Sequence, residues 1–186
     1  MLIPCLLSTV SPAAETPCAL DEHLAGVALG QKESLSRLYL STRDAVYGFA
    51  LSLLKNPHDA EDVLQDAYLA VWNSAPGYRS QGKPMAWLLT IVRNLCLQKL
   101  RERQRQSDLP QESWEPWLRD KEGMTAEDKA VLAECMARLT DEERHIVVLH
   151  AVGGLRHRET AVLLGLPLST VLSKYARALK KLKEHL

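Results

Sequence analysis

The chain has 186 residues, 46% of them hydrophobic, and its 23 basic side chains are matched by 23 acidic ones. Such a chain can bury a real core in one domain or in two small ones, and its zero formal charge excludes a wholly basic nucleic-acid coat, so any charged surface must come from segregation along the sequence. The four cysteines, Cys5, Cys18, Cys96 and Cys135, form no C-x-x-C pair, which argues against a zinc ribbon and a secreted disulfide framework and for a reducing cytoplasm.

The start, MLIPCLLSTVSPAAE, lacks a basic n-region and its apolar run is broken by Pro4, so a signal peptide is not expected. Residues 1–18 read as a disordered N-terminus. No later apolar run approaches the ~18 residues needed to span a bilayer, and membrane insertion is not expected. From Leu20 the apolar spacing is helical and no alternating strand pattern appears, so the fold class is all-α. The spacing predicts one helix over Leu20 to Leu29, stopped by Gly30, and a second over Glu33 to Lys55, ended at Asn56-Pro57 because a residue before proline avoids the helical region. A third follows in PHDAEDVLQDAYLAVW, Pro57 to Trp72. After a break at residues 74–84 with two prolines and two glycines, Pro84 suits the first turn of a fourth helix running to about Arg105.

These four helices make an N-terminal domain over 19–105. Residues 106–124, with two prolines, a glycine and scattered charges, read as a flexible linker in which Trp114 and Trp117 stand out. Beyond it, Thr125 with Asp128 and Thr140 with Glu143 have the spacing that satisfies free amides at a helix start. Two helices begin there, the second stopping at Gly153-Gly154. RHRETAVLLG, a turn at Gly165-Leu166-Pro167 and LSTVLSKYARALKKLKEHL then form a helix-turn-helix, so a C-terminal domain spans 125–186.

In the third helix Ala60, Val63, Leu64, Ala67, Tyr68 and Val71 form one core-facing stripe, while Asp59, Asp62 and Asp66 share another face. Capping and the helix dipole account for Asp59, Glu61 and Asp62. Asp66 lies beyond the first turn, where the dipole effect has faded, so the acids also offer a docking surface for a basic partner. The fourth helix has the opposite character, with Arg93, Lys99, Arg101, Arg103 and Arg105 against a single Glu102. Its polar row of Thr90, Asn94, Gln98, Arg101 and Arg105 mixes amides that can read base edges with arginines that can hold phosphates. Residues 106–145 carry eleven acids and five bases, whereas 155–186 carry seven bases and two acids. In the last helix Val171, Tyr175, Ala178 and Leu182 are the buried stripe, leaving Thr170, Lys174, Arg177 and Lys181 on an outer row suited to the major groove and its phosphates.

The order of parts, D-A-E-D-V-L-Q-D, then A-W-L-L-T-I-V-R-N-L, a linker, L-T-D-E-E-R and G-L-P-L-S-T-V-L-S-K-Y-A-R-A-L-K-K-L, resembles bacterial RNA polymerase sigma factors of the extracytoplasmic-function (ECF, group IV) type of the sigma-70 family. The match runs from about Leu20 to Leu186. The resemblance implies that the first domain is sigma region 2, docking on core RNA polymerase through Asp59, Glu61, Asp62, Gln65 and Asp66. It implies that the loop from Tyr78 to Lys83 and the following helix capture unpaired bases of the minus-ten element, with Tyr78, Arg79, Lys83, Arg93, Asn94, Gln98 and Arg101 as the contacts. The C-terminal domain would be sigma region 4, reading the minus-thirty-five element through Ser169, Thr170, Ser173, Lys174, Arg177 and Lys181, and the linker would thread toward the polymerase channels. The implied partners are core RNA polymerase and promoter DNA, with an anti-sigma factor as a further partner the family allows.

This chain departs from the family at three places. It has T-V-L-S-K where T-V-K-S-R is common, so Leu172 removes one phosphate or base contact and Lys174 lacks arginine's bidentate fork. Gln98 stands where an aspartate is common, and RETAVLLG replaces E-E-I-A-x-x-L-G. Aromatics are scarce on the fourth helix, which fits an ECF factor. Catalysis is not expected, nor is a metal or other cofactor: His145, His150, His157, Glu159 and Cys135 show no i, i+4 ligand pair, and lone surface histidines are mostly solvated. A helix-turn-helix regulator working without polymerase is the remaining alternative, and it leaves the acidic helix and the first basic helix unused.

Overall fold

The computed structural model describes residues 16–106 and 125–184, and every regular element among them is helical. Helix α1 (Pro17–Ala28) starts three residues before the expected Leu20. Thr16 caps it, accepting from the Ala19 amide at 3.4 Å, and Pro17 occupies a first-turn position where a missing N–H costs nothing. Thr16, Pro17 and Cys18 therefore belong to the fold and not to the expected disordered N-terminus, whose residues 1–15 lie outside the described residues.

Helix α2 (Lys32–Leu54) ends on Lys55 in the left-handed region at φ 53°. Asn56 follows at once as the cap of α3 (Pro57–Ser74), its side chain accepting from the Asp59 amide at 3.1 Å. A 3-10 turn (Ala75–Gly77) leads to the loop before α4 (Pro84–Gln106). The rest of the expected linker, with Trp114 and Trp117, lies outside the described residues. Both threonine caps form as the spacing predicts, starting α5 (Ala126–Ala137) and α6 (Asp141–Val147) with reciprocal bonds to Asp128 and Glu143. A π-helical turn (Val148–Val152), which periodicity does not reveal, extends α6. Helix α7 (His157–Leu164) ends at Gly165 with φ 69°, a conformation glycine adopts without strain, and α8 (Leu168–Lys183) follows.

The apolar stripe of α3 is buried at Ala60, Val63, Ala67, Tyr68 and Val71 and half-buried at Leu64. Its core does not stop at the domain boundary. One cluster joins Phe49, Leu54 and Val92 of the first four helices to Leu149, Leu155 and Leu182 of the second region. The backbone of Gly153 comes so near α4 that an added Cβ would meet Leu89 Cδ1 at 3.3 Å and the Leu149 carbonyl oxygen at 2.8 Å. Within the second domain the buried Arg144 donates to the carbonyls of Met136 and Leu139 at 3.0 Å each, fastening the end of α5 to α6.

The contact between α2 and α6 is partly polar. Lys55 pairs with Asp141 at 2.8 Å, and His145 Nε2 donates to the Ser52 carbonyl oxygen at 2.9 Å with its ring edge-on to Phe49. This corrects the expectation of a solvated His145. Burial lowers its pKa; the Ser52 carbonyl and the Asp141 charge oppose that change, and Arg144 and Lys55 assist it. The folded chain therefore resists a proton that the unfolded chain accepts below about pH 6.5. Stability from this contact is complete above that pH and declines as the pH falls. Thermal melts should show the midpoint of the wild type dropping from about pH 7.5 to about pH 5.5, with a shallower slope for His145→Gln. A slope unchanged by the substitution would remove His145 from the account.

Candidate nucleic-acid interface

Three surfaces gather the residues singled out in the sequence. On α3 the acids divide. Glu61, Asp62, Gln65 and Asp66 are exposed, and Leu69 beside them is 64% exposed. Asp59 turns inward instead. One of its carboxylate oxygens lies 3.4 Å from Lys99 Nζ and the other contacts Arg103, which also donates to the Leu54 carbonyl at 3.1 Å. Lys99 reaches Asp62 as well. Partial burial works against the charged ammonium, but the Asp62 and Asp59 carboxylates prevail and raise the Lys99 pKa. Asp59 is thereby placed as a strut between α3 and α4, and Asp62 is shared between that strut and solvent.

The second surface lies at the loop before α4. Gly77, Tyr78, Arg79, Gln81, Lys83, Ala86, Trp87 and Thr90 line an open cavity of about 450 Å³. Tyr78 and Trp87 sit with ring centres 4.7 Å apart, and the Tyr78 hydroxyl donates to Asp21 of α1 at 2.6 Å. Further along α4, Asn94, Gln98 and Arg101 are exposed and Arg93 is half-buried. Gln98 donates to Glu102 at 3.1 Å, and Thr90 folds its hydroxyl back onto the Ala86 carbonyl at 2.7 Å. The side chain of Arg105 lies outside the described residues. Sequence reasoning missed Trp87, dismissed with the scarcity of aromatics on this helix, and Asp21, a half-buried acid of α1 to which no role was assigned. The signal available for Trp87 was its position one turn after the loop.

The helix-turn-helix forms the third surface. On α8, Ser169, Ser173 and Arg177 are exposed, Thr170 is half-buried and Leu172 is 46% exposed. Lys174 and Lys181 are engaged by the acidic start of α6, Lys174 with Glu142 at 2.5 Å and Lys181 with Glu143 at 2.6 Å. Burial opposes ionisation of Glu143, yet the bonds from Lys181 and Thr140 overcome it and hold its carboxyl below the usual range. Behind the motif, His150 and His157 stack at 4.2 Å and both pack against Tyr175. They too are packing residues and not the solvated side chains expected. Among the described residues no group of three or more His, Cys, Asp or Glu side chains could hold a metal ion, and no helix is long and apolar enough to cross a membrane.

A helical pair of regions, one presenting acids and an aromatic cavity and the other a helix-turn-helix, is the architecture of a sigma-70 initiation factor. Residues 38–106 match the family model of Sigma-70 region 2, and residues 129–182 match that of Sigma-70, region 4. Among curated proteins, the ECF RNA polymerase sigma factor SigK of Mycobacterium sp. (strain KMS) is 32% identical over 88% of this chain and 89% of its own length. The SigK of Mycolicibacterium vanbaalenii is 30% identical over 94% of both. The chain belongs to the ECF RNA polymerase sigma factors. It directs promoter-specific transcription initiation on core RNA polymerase and is not an enzyme.

Solved structures agree on the fold. CnrH, determined in complex with the cytosolic domain of CnrY, superposes with a TM-score of 0.59 at 25% identity, covering 89% of this chain and 96% of that one. The sigma factor RpoE from Bartonella quintana, determined with the anti-sigma factor NepR, gives 0.60 at 24% identity over 80% of this chain and 94% of that one.

The strut role of Asp59 predicts a stability effect confined to one acid. Asp59→Asn leaves Arg103 and Lys99 without their shared carboxylate and should cost about 1–3 kcal/mol, whereas Asp66→Asn should change stability by less than about 0.5 kcal/mol. Denaturant unfolding of the two variants checks this, and equal losses would contradict the division of the acids.

Proposed function

We propose that the exposed set Glu61, Asp62, Gln65 and Asp66 docks on core RNA polymerase, with Asp59 contributing indirectly by holding α3 against α4. The loop cavity then captures an unpaired base of the minus-ten element. Tyr78 and Trp87 supply aromatic surface for stacking, which is worth about 1–3 kcal/mol per base, while Arg79 and Lys83 stand at its rim for the adjoining phosphates. Asn94, Gln98 and Arg101 extend the same track, with Arg93 beside them. The observation that carries this reading is the cavity itself, where aromatic side chains and cations converge on an opening beside an amide-bearing helix.

The helix-turn-helix reads the minus-thirty-five element through Ser169, Thr170, Ser173 and Arg177. Lys174 and Lys181 add phosphate contacts once they exchange Glu142 and Glu143 for DNA. Leu172 is a neutral gap in this surface, since one leucine can report a thymine methyl but cannot orient a helix. The work is cytoplasmic, where the promoters are. Because the sigma factor RpoE was determined with an anti-sigma factor, the present chain is inferred to answer to one as well.

Two experiments test these assignments. Glu61→Lys combined with Asp66→Lys should abolish co-purification with core polymerase at unchanged helicity by circular dichroism; wild-type yield would refute the docking face. On a promoter recovered by run-off transcription, Leu172→Lys should tighten binding and steepen its salt dependence by about 0.9 in log–log slope, the share of one phosphate. If the substitution instead weakens binding only at sites bearing a thymine there, Leu172 is a methyl contact and not a gap.

A further inference from the structure

Helix α1 precedes residues 38–106, the stretch matched by the region 2 model, yet it touches Tyr78, which lines the cavity of the loop before α4. Its Asp21 accepts the hydrogen bond of Tyr78, 57 residues away, at 2.6 Å. That length is typical of a hydroxyl bonded to a carboxylate, about twice as strong as a neutral pair. Burial and the Asp21 charge push the Tyr78 hydroxyl up, so it stays protonated and remains the donor. Tyr78 is the last residue before an exposed run: its amide closes the 3-10 turn onto Ala75 at 3.0 Å, and residues 79–83 are exposed, with Gly82 at φ 68°. The ring therefore has backbone support on one side only. Its other restraints are the edge of the core cluster, Trp87 across its face at 4.7 Å centre to centre, and Asp21 at its hydroxyl end, where the Ser80 side chain also interacts.

We propose that Asp21 is a positioning residue for base capture, fixing the Tyr78 ring as a wall of the loop cavity so that an unstacked base meets a surface already in place. This rests on the reading of that cavity as the minus-ten pocket. A side chain ordered before binding does not have to be ordered during it, and for one aromatic side chain that advantage is about three- to tenfold in the captured state. Asp21 touches no base itself; its effect passes wholly through the Tyr78 hydroxyl.

The dependence on one bond makes the inference testable with holoenzyme reconstituted from core polymerase and the full chain, on a duplex promoter recovered by run-off transcription. Permanganate reactivity of minus-ten thymines reports opening. Asp21→Ala should reduce the opened fraction about three- to tenfold at unchanged core affinity. Tyr78→Phe, which also removes the Ser80 interaction, should do at least as much, and the double variant should be no worse than Tyr78→Phe, because it removes no further bond of that hydroxyl. Asp21→Asn, which still offers a carbonyl acceptor, should open promoters nearly as well as wild type. On a template whose minus-ten bases are already mismatched, Asp21→Ala, Tyr78→Phe and the double variant should hold the unpaired strand less tightly than wild type and to a similar degree, while Asp21→Asn holds it nearly as well as wild type, an order that loss of overall stability at the assay temperature would not produce.

Additive losses in the double variant, or wild-type opening by Asp21→Ala, would overturn the inference. Trp87→Ala and Arg79→Ala separate it from its premise. If these impair opening while Asp21→Ala does not, the cavity reading stands and only the positioning role fails. If neither impairs opening, the pocket reading fails and the positioning role fails with it.

Discussion

The burial of the second half of α2 is the constraint on which the other elements depend. Ala45, Val46, Phe49, Ala50, Leu51, Ser52 and Leu54 are all buried, so this mostly apolar stretch is covered on every side and not along one stripe. A helix of that kind must be covered all round. Helices α1, α3 and α4 cover part of it, and α6 with its π-helical turn covers the rest. The core of the first region is thereby completed by the second, and residues 81–86, the end of the loop and the start of α4, come to share a cleft with 152–156 and Glu159. The polar fastenings, Lys55 with Asp141 and His145 with the Ser52 carbonyl, lie at the edge of that contact and set its orientation more than its strength.

Charge follows a similar logic. The sequence separates acids from bases by tens of residues, and the fold brings part of each set back together. The acidic start of α6 neutralises Lys174 and Lys181 on α8, and Asp59 neutralises Lys99 and Arg103 on α4. Beyond whatever stability they add, these pairs decide which charges remain available to a partner. Arg177, Arg156 and Arg158 stay exposed at the helix-turn-helix, and Glu61 and Asp66 stay exposed on α3. A smaller, better defined set of charges thus faces outward than the sequence count suggests.

The titratable groups in the interior are structural. Cys96 is fully buried and its thiol is pushed up to about 12 by that burial and by the Asp59 charge, so it remains an unreactive thiol. Burial and the neighbouring His150 lower the His157 pKa, so its charged form is disfavoured in the stack. None of these groups is offered to solvent in the way a nucleophile or a metal ligand must be.

By itself the sequence determined the order of the helices, the threonine caps of α5 and α6 and the two regions, because proline positions, threonine-x-x-carboxylate spacing and 3.6-residue periodicity are local and each is written in a few adjacent residues. It also determined the family, since the ordered motifs from the acidic helix to G-L-P-L-S-T-V need no three-dimensional information to recognise. Only the tertiary structure decided which acids of α3 face outward, that His145 is buried against α2, that Lys174 and Lys181 are held by α6, and that Asp21 reaches Tyr78 across 57 positions. Each of those facts is a pairing between side chains on different helices. Periodicity assigns a residue to a face of its own helix, and the partner opposite that face is set by how helices pack, which no short window of sequence records.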